Sequence, residues 1–473
     1  MKFLKIHQIR LLLMCLATFN LSMAQEAELS NLSLNDLNAF DSPGENWEIT
    51  SAFISDFAKP WGIKKLDKGS GVLVNNLTKV HRSHLITKKE FGDIYLELDF
   101  MMDKGSNAGV YLQGRYEIQL LDSWRKEDPI FSDCGGIYQR WNSTAEVKGF
   151  EGVAPLQNAT RAPGLWQQLR IRFRAPRFNS DGKKIANARF EEVYLNDVLV
   201  QQQVEVLGPT RSAKFGDEKS MGPLMIQGDH GKLAIRNIKY SDFTYDVPSN
   251  NKRANGLIIL NPDKKPYLLR SFLDYQGEKL NYVVSIGTHE GIHYSYDVSQ
   301  GSLLQVWRGR FMDVTDMWHS RGISQVAMPL GSVVPLFRGP SIAYLSNKDA
   351  EWPENVNLED MHDTSYILDQ KGIPTFKYKL KGVSVRDKIE LENNGESLRR
   401  NLAIENSTEN LYCRVISAKQ LELVSKNLYR VNGMYYVRLN QNSSPIIRET
   451  AKGQEMLLTL GKYEKSFSYS IIW

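Results

Sequence analysis

Apolar residues recur at every second position through most of this chain, and a period of two buries a continuous face only if the backbone is extended. Ile94, Leu96, Leu98 and Phe100 form one such run, Leu169, Ile171 and Phe173 another, and Val193 and Leu195 a third that stops at Asn196-Asp197. Turn-forming clusters at residues 104–107, 179–182 and 196–197 separate these runs at short intervals. The pattern predicts an all-β fold, an antiparallel sandwich or jelly roll whose curved sheet offers a concave face to a ligand. Residues 281–286, 292–296, 303–307, 375–379 and 383–391 repeat the texture, which predicts a second β-sandwich-like domain. No internal repeat of fixed period appears, so a propeller or solenoid is disfavoured.

The first 24 residues stand apart. A basic start (Lys2, Lys5, Arg10), an apolar stretch around Leu11 to Leu21 and the small-residue site Ser22-Met23-Ala24 read as a cleaved secretory signal. Cys15 follows Met14, a poor fit to the small residue that precedes a lipid-modified cysteine, so export to the periplasm or beyond without a lipid anchor is expected. Loss of the three basic residues lowers the formal charge from +5 to +2, which disfavours nucleic acid as a partner. No other apolar run reaches the roughly 18 residues that a membrane helix needs. Cys134 and Cys413 then remain, without CxxC or Cys/His spacing, so neither a disulfide framework nor a zinc site is implied.

About 450 mature residues suit two domains. The polar, proline-punctuated segment 246–256 reads as the linker between them. The expected division is a signal over 1–24, an extension over 25–44, a jelly roll over 45–245, and an accessory domain over 257–473.

Residues 109–122 carry the richest chemistry. Val110, Leu112, Tyr116, Ile118 and Leu120 alternate with Tyr111, Gln113, Arg115, Glu117 and Gln119. A solvent-facing row of an amide, a guanidinium, a carboxylate and a second amide suits a ligand covered in hydroxyl groups. Carbohydrate is the expected partner.

Several segments together resemble the 3-keto-disaccharide hydrolase family: residues 99–122, Cys134-Gly-Gly-Ile-Tyr138, Pro163-Gly-Leu-Trp166, Phe173-Arg-Ala-Pro-Arg177, Tyr194-Leu-Asn196 and Gln227-Gly-Asp-His-Gly231. The likeness runs from about residue 45 to 243 and does not touch the second domain. It implies a concanavalin-like jelly roll acting on sugars already oxidised at C3. A ketone at C3 acidifies the C2 hydrogen, so a base can remove it, the enolate can expel the C1 substituent, and water can add to the enone. Ordinary glycosidases instead place two carboxylates around an oxocarbenium-like state.

Such an elimination needs a base, an acid for the leaving oxygen and a group to hold the enolate. Glu117 is the first candidate for acid/base work, the alternative being an ion pair with Arg115 that braces the sheet. Arg115, a permanent cation, suits an enolate oxygen but cannot be the base. His230 is the second candidate, oriented by Asp229, and its alternative is a turn residue in Gly-Asp-His-Gly. Gln113, Gln119, Gln227 and Asp122 are candidate hydroxyl partners, and Tyr111, Tyr138 and Trp141 candidate stacking surfaces for a pyranose. Neither a metal nor a cofactor is expected, and His289, Glu290 and His293 read as strand and turn, not as a ligand set. The aromatic and charged segment 303–318 is a candidate binding edge of the second domain. A non-catalytic, lectin-like carbohydrate binder is the competing function, because lectins use the same residue types.

Overall fold

The computed structural model describes residues 28–55, 57–60, 62–242, 256–319, 325–357, 359–407, 409–460 and 466–473. The expected signal segment with Cys15, and all of the expected linker except Gly256, lie outside the described residues.

Two sheets face each other in the first half. An eight-stranded sheet runs Val198–Val206, Ala188–Leu195, Trp166–Arg174, Ile94–Met102, Leu233–Asp242, Val72–Asn75 and Trp47–Thr50, with Ser30–Asn31 added beside Leu233–Asp242. A five-stranded sheet runs Tyr116–Leu121, Asn107–Leu112, Gly222–Ile226, Leu85–Phe91 and Phe40–Asp41. The alternating residues point inward as their spacing requires: Leu96, Leu98, Phe100, Leu169, Ile171 and Phe173 meet Val110, Leu112, Ile118 and Leu120 in one core. The turn at Asn196-Asp197 places both residues at positive φ, 51° and 65°, as a two-residue hairpin with right-handed strand twist demands. The result is the expected jelly-roll sandwich.

Two expectations about residues 109–122 change. The stretch is a hairpin, not one strand: Asn107–Leu112 turns at Gln113-Gly114 (φ 55° and 65°) and returns as Tyr116–Leu121. Leu112 pairs with Tyr116, four positions on, so the alternation passes through the turn unbroken and imitates a single strand. Its polar row is also not solvent-facing. Tyr111, Gln113, Arg115, Glu117 and Gln119 are all buried. Ile137 bridges to Ile118 at the sheet edge, Thr210 donates its N–H to the Arg115 carbonyl, and Lys214 donates to the Gly114 carbonyl, so two loops are fastened over the hairpin.

The second half is also β throughout, apart from the short helix Thr315–His319 among the described residues. The five segments anticipated as strands fall within Glu278–Gly287, Ile292–Asp297, Ser302–Arg308, Pro374–Leu380 and Val383–Glu392. Two eight-stranded sheets and a four-stranded one share a core that includes Tyr294, Tyr296, Val385, Leu402 and Trp473. Arg400 and Asp387 are fully buried there as an ion pair at 2.6 Å, and the Tyr296 hydroxyl donates to the same carboxylate at 2.8 Å. Such pairing is what makes a buried charge tolerable. His293 is buried between Trp307 and Phe311, accepts the Thr288 N–H and contacts the Gly309 carbonyl at 2.9 Å, while His289 pairs with Glu290. Burial pushes His293 down to about 4. No cluster of three or more metal-ligating side chains occurs among the described residues.

The halves share an apolar seam in which Phe57, Ala162 and Leu165 pack on Leu428, Tyr436 and Ile472. Polar contacts pin it: Tyr436 donates to the Pro163 carbonyl at 2.9 Å, Arg430 to the Gly164 carbonyl at 3.1 Å, and the Trp124 indole to the Trp473 carbonyl at 2.7 Å. Cys134 lies in the first core and Cys413 in the second, both as free thiols that burial pushes up to about 12. No helix among the described residues is long and apolar enough to cross a membrane.

Candidate active site

Antiparallel register decides which side chains share the outer face of the five-stranded sheet. Asp41, Ile86, Met225, Tyr111 and Glu117 are successive cross-strand partners and therefore form one row. Gln119 pairs with Gly109, and Gln227 donates its N–H to the Gly109 carbonyl at 2.9 Å, so those three make a second row two residues along. His84, two residues before Ile86, shares that parity.

Gly109 explains how a carboxyl group fits inside. A Cβ there would sit 2.2 Å from Glu117 Oε1, so the missing side chain is the space that the carboxyl occupies. Glu117 is only 3% exposed. Burial, assisted by the negative charge of Asp229 and opposed by a hydrogen bond from the Tyr111 hydroxyl, pushes it up to about 8. Glu117 is therefore protonated at neutral pH.

Where the strand Gly222–Ile226 ends, Gln227-Gly-Asp-His230 turns out of the sheet beside His84. Asp229 Oδ1 lies 2.5 Å from His230 Nδ1 and 3.9 Å from His84 Nδ1, between the two imidazoles. The Gln227 amide reaches His230 Nδ1 at 3.2 Å. Gly228 donates its N–H to His84 Nδ1 at 3.2 Å, so the ring hydrogen of neutral His84 resides on Nε2. Burial, with help from the nearby His230 and Lys214 and against Asp229, lowers the pKa of His84, which keeps it neutral near pH 7. His230 is exposed, 55% of its side chain facing solvent. Asp41, Arg82, His84, Lys214, Asp229 and His230 line a cleft of about 530 Å³.

Sequence-predicted residues separate into two groups. Asp229, His230 and Gln227 come together at this cleft. Glu117 and Tyr111 lie inside the protein and are not part of the cleft wall, although Asp229 acts on both through its charge. Arg115 does not meet Glu117. Its guanidinium is 2.8 Å from an Asp217 carboxylate oxygen and from the Gln113 carbonyl, beneath the Phe215 ring, and so fastens the hairpin turn to the loop above it. Gln113 donates to the Phe91 and Ser220 carbonyls, and Gln119 to Asn107 and the Ser132 carbonyl. Asp122 accepts the Gly105 N–H at 2.8 Å. These amides and this carboxylate hold loops, a role that the expected open sheet face had concealed. Tyr138 is half-buried against Phe131, and exposed Trp141 is covered on one face by the Arg211 guanidinium at 3.9 Å.

Sequence reasoning missed His84 and Lys214. His84 could have been found, since the Leu85-Ile-Thr-Lys-Lys-Glu-Phe91 strand begins just after it and parity puts it level with Ile86. Lys214 carries no local signal, being brought in by a loop.

No curated protein matches the chain. Among solved structures, two proteins of Parabacteroides distasonis designated glycosyl hydrolases are 23% and 22% identical, with TM-scores of 0.31 each. They cover 46% of this chain and 84% and 100% of their own. The carbohydrate-binding module CBM66 of Bacillus subtilis is 12% identical, covers 43% of this chain and 99% of its own, and has a TM-score of 0.21. A family match spans residues 36–241, a range that takes in the first sandwich except Ser30–Asn31 and Asp242, and every residue of the cleft. Residues 36–241 match the family described as the 3-keto-alpha-glucoside-1,2-lyase-like domain.

Proposed function

We propose that the jelly-roll domain cleaves 3-keto-glycosides by elimination across C1 and C2. The observation that carries this reading is the Asp229–His230 pair opening onto the cleft beside a neutral His84. Asp229 holds the Nδ1 hydrogen of His230, which leaves the Nε2 lone pair free as a general base. That nitrogen takes the C2 hydrogen, made acidic by the neighbouring ketone. The electron pair moves onto the C3 oxygen, where the Lys214 ammonium opposes the growing negative charge. As the enolate collapses, the C1–O bond breaks and the departing oxygen takes the proton that His230 Nε2 gained from C2, which returns that imidazole to neutral, while the Nε2–H of His84 hydrogen-bonds a sugar oxygen. Water adding across the enone, hydroxyl to C1 and hydrogen to C2, completes a net hydrolysis. Glu117 is protonated at neutral pH and takes no part in the transfer, while Asp229 holds Nδ1 of His230 as that ring gains and gives up the proton. The apolar leader of the chain supports action outside the cytoplasm.

The test follows one atom. In deuterated water the protein is expected to exchange the C2 hydrogen of a 3-keto-disaccharide and to cleave it, leaving the unoxidised disaccharide intact. His230→Asn is expected to lower both rates by about 100-fold or more. Binding of the keto-sugar without exchange or cleavage would instead identify a lectin, and unchanged rates in His230→Asn would remove the base assignment.

A further inference from the structure

The second half carries a pocket of its own, about 510 Å³ in volume and well within the range of small-molecule sites. Its construction is specific. Strand Tyr267–Tyr275 has a register shift between Ser271 and Leu273 against Glu278–Gly287. The extra residue lies on the second strand, where Asn281 and Tyr282 together oppose Phe272 and are both exposed, while the first strand keeps its alternation, with Ser271 buried in the wall and Phe272 37% exposed. Tyr282, from the neighbouring strand, is 65% exposed. A third ring, Tyr366, comes from Met361–Leu368 in a different sheet, under the Arg270 guanidinium at 5.2 Å. Lys279 covers one face of Phe272 at 4.0 Å.

The polar complement is almost uncharged. Ser271 Oγ is buried and has no hydrogen-bond partner among the described residues. Asn281, Thr364 and Ser365 add an amide and two hydroxyls to the lining, in which, among the described residues, Arg270 is the one charged residue and no carboxylate occurs. A phosphate or sulfate ligand would call for several cations, and an amine for a carboxylate. Three aromatic rings with hydroxyls and amides match a sugar, whose C–H face packs on a ring while its hydroxyls exchange hydrogen bonds at the edge.

We propose that this pocket is a second carbohydrate site, which binds a neutral, unoxidised sugar chain through Tyr282 and Phe272 and is independent of the chemistry at His230. Titration calorimetry of the full chain with maltohexaose, cellohexaose and laminarihexaose tests it. At least one is expected to bind with Kd of about 1 mM or tighter. Tyr282→Ala and Phe272→Ala are each expected to weaken that binding by about five- to tenfold, with Tm unchanged for Tyr282→Ala because the ring is exposed, whereas His230→Asn leaves it intact. Failure of all three hexaoses to bind overturns the proposal. So does binding that survives Tyr282→Ala but falls in His230→Asn, which would put the sugar in the jelly-roll cleft.

Discussion

At the scale of single residues, Glu117 has two readable properties, its position and its proton. Its native pKa of about 8 lies above the ordinary carboxylate value of 4.5, so the folded state holds the proton more tightly than the unfolded chain does. The sign is therefore fixed: its contribution to stability is fully present below about pH 4.5 and is lost as pH rises through 8. Glu117→Gln mimics the protonated form. Urea unfolding at pH 5 and pH 9 is expected to show the variant gaining on the wild type by on the order of 3 kcal/mol at the higher pH. A difference that does not change with pH would contradict the buried, neutral carboxyl group. Cleavage at pH 7 is expected to survive in Glu117→Gln, because the side chain is already uncharged there. The carboxylate was conspicuous in the sequence, yet its role as a buried acid was not, since burial here comes from residues near 137 and 210 that local alternation cannot place.

At the scale of elements, the hairpin from Asn107 to Leu121 holds the cleft's floor in register. Which side chains point into the core was legible in the sequence, because parity survives a connection that joins Leu112 to Tyr116 across four positions. The turn was not legible: Gln-Gly lacks the Asn or Asp that usually marks left-handed backbone, and Gln113 adopts positive φ with loops fastened over it. Gly109 is the residue on which this element depends. Gly109→Ala would drive a methyl group into the Glu117 carboxyl, and a loss of about 1–3 kcal/mol is expected by urea unfolding. Gly216→Ala, where no atom lies within 4 Å of the added carbon, should cost far less. Equal costs at the two positions would mean that the Glu117 niche is slack.

At the scale of the whole molecule, two β cores are joined by a seam. The sequence showed two series of strands, but not that they would be joined face to face, because the residues that make the seam, such as Leu165 and Tyr436, alternate like any core position. Tyr436 sits in the seam with its hydroxyl on the Pro163 carbonyl, in a space left by the absent side chain of Gly164. Tyr436→Ala removes both packing and hydrogen bond and is expected to cost about 3–5 kcal/mol, and in calorimetry to split a single melting transition into two. One transition at an unchanged temperature would show that the seam contributes nothing. The two sulfhydryls bear on the same architecture from a different side. Because the halves hold one cysteine apiece among the described residues, each walled off from solvent and too weakly acidic to react while folded, Cys134 and Cys413 are built-in chemical reporters for the two halves, and alkylation of one ahead of the other reveals which half lets water in first.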